Sequence, residues 1–130
     1  MNKLKLLILA AFVLLGSAGI ATAQSDHARR LNSPATVHGT VGGEAHNSYV
    51  VHARKGATIT VSISWRHEDD NRAEFSVSKS RSFENSSPVK FGRGSNGGKK
   101  WTGKAPSTGD YYIFVVAHPS AHYTLKVVVK

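Results

Sequence analysis

Thr58-Ile59-Thr60-Val61-Ser62-Ile63-Ser64-Trp65 alternates hydroxyl and apolar side chains, and that alternation decides the fold class. A strand turns successive side chains to opposite faces, so this stretch has a dry face of Ile59, Val61 and Ile63 and a wet face of Thr and Ser. Trp65 falls in phase with the apolar set and is expected to point inward. Near the C-terminus Tyr123, Leu125, Val127 and Val129 alternate with Thr124, Lys126 and Val128 in the same way. Between these two stretches, Asp110 to Ala117 is an almost continuous run of β-branched and aromatic residues, which reads as a central strand with contacts on both faces.

Working outward, weaker strands are expected over 36–41, 48–54, 73–78 and 99–104. Gly42-Gly43, Lys55-Gly56, Asp69-Asp70-Asn71, Gly97-Gly98 and Thr108-Gly109 supply the turns between them. About seven or eight short strands with frequent turns predict an all-β fold, a single antiparallel β-sandwich of jelly-roll or Greek-key type over residues 36–130. After residue 30 there is no amphipathic helical spacing.

The N-terminus has a different character. Lys3 and Lys5 precede an apolar run from Leu6 to Leu15, and small residues follow as far as Ala21-Thr22-Ala23. This is the pattern of a secretory signal peptide over 1–23, cleaved near Ala23/Gln24, and it predicts a periplasmic or secreted protein. The run is shorter than the roughly 20 residues of a membrane span, so no membrane span is expected. The polar stretch 24–35 reads as a flexible leader. The chain has no cysteine, which excludes disulfides and a lipidated cysteine at the cleavage site. Stability must therefore come from the core of the remaining 107 residues. Loss of Lys3 and Lys5 leaves 15 basic and 8 acidic side chains, a formal charge of +7 that favours anionic partners.

Enzymatic function finds no support. The sequence lacks a G-x-S-x-G elbow, an H-E-x-x-H pair, a glycine-rich phosphate loop and a cysteine nucleophile. No cofactor or metal is expected. His118 and His122 flank a short turn in what reads as a hairpin, where their rings could converge, but a stable site needs three or four ligands. Glu68-Asp69-Asp70-Asn71 lacks the spacing of a calcium loop. Both are more simply exposed turns. Nucleic acid is not expected as a partner either, because no basic–aromatic platform accompanies the charge. Trp101, after Lys99-Lys100, either caps the core or stands exposed as a binding anchor.

Most of residues 36–130 resemble the bacterial pre-peptidase C-terminal domain family. The resemblance rests on Gly39-Thr40-Val41, Ser48 to Val51, Arg54-Lys55-Gly56 with Ile59 to Ile63, Ala105 to Tyr111, and Tyr123-Thr124-Leu125. The signal peptide, the phrase Tyr49 to Gly56 and the late phrase Pro106 to Tyr111 are similar to those of periplasmic inhibitors of g-type lysozyme. The resemblance implies a β-sandwich and a non-catalytic binding function, with g-type lysozyme as partner.

Lysozymes work with carboxyl groups in an open groove, so such an inhibitor gains by presenting basic or hydrogen-bonding loops to it. Residues 79–100 carry Lys79, Arg81, Lys90, Arg93, Lys99 and Lys100 against Glu84 alone, in a Ser-, Asn- and Gly-rich connection expected to be mobile and exposed. Thr108-Gly109-Asp110-Tyr111-Tyr112 is similar to the S-G-x-x-Y phrase of other lysozyme inhibitor families. Candidate partner-binding residues are therefore Arg81, Lys90, Arg93, Lys99, Lys100, Thr108 and Tyr112. The bland readings are a solvated loop for the first five and a turn leading into core tyrosines for the last two. The alternative function is an envelope module binding an anionic or saccharide polymer, such as peptidoglycan or lipopolysaccharide. A third is a structural envelope protein with no dedicated site.

Overall fold

In residues 27–130, which the computed structural model describes, nine strands form two sheets. The strands are β1 Arg29–Arg30, β2 Ala35–Gly42, β3 Asn47–Ala53, β4 Thr58–Trp65, β5 Arg72–Ser78, β6 Arg93–Ser95, β7 Lys100–Lys104, β8 Gly109–His118 and β9 Ser120–Val129. The expected signal peptide over 1–23, and residues 24–26 of the expected leader, lie outside the described residues.

One sheet has four strands in the order β1-β3-β8-β5 and the other five in the order β2-β9-β4-β7-β6. All pairings are antiparallel except β1 with β3. The alternation seen in sequence sets the two inner faces. Ile59, Val61 and Ile63 of β4 and Leu125 and Val127 of β9 face Tyr111, Ile113, Val115 and Ala117 of β8, all nearly inaccessible to water. Each large aliphatic side chain buried this way contributes about 1.5–3 kcal/mol, which stands in for the missing disulfides. As read from sequence, β8 is central, between β3 and β5.

A polar link ties the two inner faces together. The hydroxyls of Tyr49 on β3 and Tyr123 on β9 share a 2.5 Å hydrogen bond, and Asn47 Nδ2 donates to Tyr123 at 2.7 Å. Burial and the bond to Tyr123 push the Tyr49 phenol well above the ordinary tyrosine range.

Several expectations are corrected. Residues 29–31, within the expected flexible leader, are bound into the sandwich: β1 pairs with β3 and Leu31 is buried, with its amide on the Val50 carbonyl. One apolar residue and one short ladder suffice to hold a polar segment. His118 and His122 do not flank a hairpin, because β8 and β9 belong to different sheets and the chain crosses between them at Pro119. The 79–100 connection has apolar anchors. Phe83 stacks on His46 and meets Phe114 edge-on, while Phe91 packs edge-on against Trp101 and Tyr111. The Val89 amide bonds the Val77 carbonyl, and the segment then supplies the extra strand β6.

Trp65 keeps its phase but lies at the mouth of the sandwich, half-buried, its Nε1 donating to the Asn71 carbonyl at 3.2 Å. Trp101 is also half-buried and closes the open edge beside β7. Glycine lets it fit: a Cβ at Gly92 or Gly103 would come within 2.5 or 2.6 Å of the indole.

Candidate functional site

At one end of the sandwich two turns lie side by side, residues 54–57 between β3 and β4 and residues 105–108 between β7 and β8. Sheet register puts them together. Ala53 pairs with Gly109 in one sheet and Thr58 with Lys104 in the other, so each turn bridges the two sheets at the same end. Hydrogen bonds then clamp them. The Gly56 amide donates to the Ala105 carbonyl at 2.8 Å, the Ala105 amide to the Ala57 carbonyl at 2.8 Å, and the Lys55 amide to Thr108 Oγ1 at 2.9 Å. Tyr111, buried beneath, donates its hydroxyl to the Ser107 carbonyl at 2.6 Å. Gly56 has φ +91°, a backbone that L side chains rarely adopt, which explains glycine after Arg54-Lys55. The result is a double loop whose shape is fixed before any partner arrives.

This end is also basic. Arg54 and Lys55 are exposed at the tip of the first turn. Lys104 flanks it, and Lys130 joins Thr58 through bonds of 2.8 and 3.0 Å. Lys79 reaches the Asp110 carbonyl at 3.1 Å and lies over the Tyr111 ring at 4.1 Å. Among the described acidic residues Asp110 alone lies here, and it is engaged. Arg30 binds both its oxygens, at 3.2 and 2.8 Å, and His52 Nδ1 lies 3.4 Å away. The Arg30 hydrogen bond, aided by His52 and opposed by slight burial, holds this carboxyl below the usual carboxylate range. At the opposite end the β2–β3 and β4–β5 loops carry Glu44, Glu68, Asp69 and Asp70 beside Arg66, Arg72 and Lys99, so the two signs nearly balance there. The sandwich is electrically polarised along its length, which steers an anionic partner toward the clamped loops.

The residues singled out in sequence do not form one patch. Thr108 is in the clamped loops, its Oγ1 used as an acceptor. Tyr112 lies four residues on, within β8, opposite Val50 and Ser78 and stacked with Phe114, so Tyr111 rather than Tyr112 supports the loop. Lys90 lies near Lys79 and Pro106, beside the basic end. Arg93 and Lys100 stand on β6 and β7, opposite Thr102 and Ser95. Lys99 is at the far end, over the Trp65 ring at 5.0 Å. Arg81 is exposed in the β5–β6 connection. Arg54, Lys55, Lys104 and Lys130 were not among the sequence candidates. Arg54-Lys55 reads in sequence as a turn, and no local signal brings it beside 104–108 and 130.

For metals, His122 Nδ1 is engaged with Thr40 Oγ1 at 2.8 Å, and among the described residues no three His, Asp or Glu side chains come together to hold an ion. Asp69 and Asp70 sit in a turn closed by Asn71, whose side chain accepts from the Glu68 amide and donates to the Arg66 and Ser120 carbonyls, each at 3.0 Å.

Comparison with solved structures reproduces the resemblance at the level of fold. The chain is similar to the periplasmic inhibitor of g-type lysozyme PliG from Aeromonas hydrophila, with TM-score 0.62 and 22% identity over 78% of this chain and 94% of that one. Salmonella Typhimurium PliG gives TM-score 0.54 and 19% identity over 78% of this chain and 96% of that one. The pre-peptidase C-terminal domain of a Bacillus anthracis collagenase gives TM-score 0.55 and 18% identity over 82% and 99%. No family model and no curated protein matches the sequence.

Proposed function

We propose that this chain is a periplasmic inhibitor of g-type lysozyme that acts by binding rather than catalysis, occluding the acidic groove with the clamped loops 54–57 and 105–108. The observation that carries the proposal is the preformed double loop at the basic end. Its backbone order is already fixed, so little entropy is lost on docking. Among the described residues its cations have no acid of their own to neutralise them beyond Asp110, which is occupied by Arg30. A groove working with carboxyl groups presents the complementary charge. The fold likeness to the Aeromonas and Salmonella inhibitors supports the choice of partner, and the signal-like N-terminus supports the compartment. Arg81, Lys90, Arg93, Lys99 and Lys100 serve as a surrounding field, with Lys90 nearest the contact and Thr108 holding the loops in register.

The test is clearance of cell walls by a purified g-type lysozyme, with c-type and i-type enzymes as controls. The chain is expected to inhibit the g-type enzyme selectively. R54A/K55A should raise the concentration required by roughly a hundredfold, on the scale of about 1.4 kcal/mol for each cation lost at the contact. R93A/K99A/K100A should change it by less than tenfold. No inhibition at several-fold molar excess overturns the proposal. A larger effect from the triple variant than from R54A/K55A overturns the choice of end.

A further inference from the structure

The five-stranded sheet contains no acidic residue in any of its strands, although it carries Arg93, Lys100, Lys104 and Lys126. Every described carboxylate lies in the other sheet or in a loop. None of the four ion pairs among the described residues involves these four cations. An ordinary soluble surface intersperses both signs, so a whole sheet face of one sign is a feature in need of a partner.

The side chains on this outer face are in register. Residues directly opposite each other on paired strands point the same way. One row therefore crosses all five strands as Thr36, Lys126, Ser62, Lys100 and Ser95, alternating hydroxyl and ammonium. All five are exposed except Ser62, which is half-exposed. With strands about 4.8 Å apart, the two lysines stand roughly 10 Å from each other, comparable to the length of two linked hexose units. The neighbouring row runs Val128, Thr60, Thr102 and Arg93, and so repeats the hydroxyl-and-cation chemistry over β4, β7 and β6 only.

From this alternation we infer that the outer face of the five-stranded sheet is a binding surface for a linear anionic polysaccharide, with an anion on about every second sugar. Lysines pair with the anions, and the Thr and Ser hydroxyls both donate to and accept from sugar hydroxyls. The face presents no Trp, Tyr or Phe side chain on which bases could stack, and the rings of His38 and His122 are tied to Thr124 and Thr40 at 3.0 and 2.8 Å, which disfavours single-stranded nucleic acid. Its one aliphatic side chain, half-buried Val128 opposite Thr60, falls short of the anchor cluster that a protein interface centres on. The Lys100–Lys126 row is separate from the clamped loops, which Lys104 alone of these cations flanks, and does not depend on the lysozyme reading. It would hold the protein on an envelope polymer while the loops stay free.

The experiment measures binding of the chain lacking residues 1–23 to hyaluronate, whose carboxylates fall on alternate sugars, with neutral dextran and polyuridylate of similar length for comparison. Binding to hyaluronate is expected, weakening steeply from 50 to 300 mM salt as screening rises, with none to dextran. K100Q/K126Q should weaken it by at least about tenfold, K100R/K126R should restore it, and R54A/K55A should leave it within about twofold. Circular dichroism establishes that each variant is folded. Equal or tighter binding to polyuridylate, an unchanged affinity for K100Q/K126Q, or an equal loss in R54A/K55A overturns the inference. Because R54A/K55A and K100Q/K126Q separate the two surfaces, failure of either idea is distinguishable from failure of the other.

Discussion

Asn71→Ala should be among the costliest single substitutions outside the apolar core. Asn71 is 9% exposed, and its side chain satisfies three backbone groups: the Glu68 amide, the Arg66 carbonyl and the Ser120 carbonyl, each at 3.0 Å. Through them it joins the loop after β4 to the start of β9, and its own carbonyl receives the Trp65 indole N–H. Leaving a buried polar group unpaired costs about 1–3 kcal/mol. Arg66 and Glu68 lie in an exposed loop and Ser120 opens β9 at an exposed position, so water can reach some of these groups and the total comes to about 2–3 kcal/mol. With a urea dependence of roughly 1.5 kcal/mol per molar for a domain of this size, the unfolding midpoint should fall by about 1.5 M. Asn71→Asp refines the test. It keeps the acceptor for Glu68 but turns a carboxylate oxygen toward two carbonyls, so at pH 7 it should be no more stable than Asn71→Ala. That carboxyl would have a raised folded pKa, so the Asp variant should regain stability as pH falls through it. A midpoint for Asn71→Ala within 0.3 M of the parent, or an Asp variant at pH 7 close to the parent, would refute this account of the turn.

Other perturbations probe the core and the loops. Gly103→Ala should destabilise the fold by about 1–3 kcal/mol, because a Cβ there would overlap the Trp101 ring; indole fluorescence should shift as the ring is displaced, and an unchanged spectrum and midpoint would contradict the packing. Tyr49 has a raised pKa in the fold. The stability it contributes is therefore complete below pH 10 and declines as pH rises above it, and Tyr123→Phe should flatten that decline in urea midpoints measured from pH 8 to 11. Asp110 has a lowered pKa, so its contribution is present above the ordinary carboxylate value and fades below about pH 4; Arg30→Ala should abolish that part of the acid dependence and raise proteolysis near residues 27–31. Thr108→Val keeps the shape of the side chain but removes the acceptor for the Lys55 amide. It should weaken lysozyme inhibition by roughly tenfold with little change in folding stability, read by the clearance assay and thermal melts together.

The strands with strong alternation were legible because face periodicity is a local property: Ile59, Val61 and Ile63 are buried while Thr60 and Ser62 are not. β1 and β6 were not legible, since two or three residues such as Arg29–Arg30 are too few to show a period. The anchoring of 79–100 is not legible in sequence because Phe83 and Phe91 are isolated in a polar stretch. Their burial depends on Phe114, Trp101 and Tyr111, which lie ten or more residues away.

The T-G-x-x-Y phrase points to Thr108, which does sit in the double loop, but the cations that make the loop a site, Arg54, Lys55, Lys104 and Lys130, come from other parts of the chain. Sequence by itself determined the all-β class, most strand positions, the lack of cysteine chemistry and the excess of positive charge, because each follows from composition or from spacing of two. Where that charge gathers was decided only by the tertiary structure. Strand register brings distant turns to one end and leaves one sheet without a carboxylate, and register is set by how two faces pack against each other rather than by any one segment.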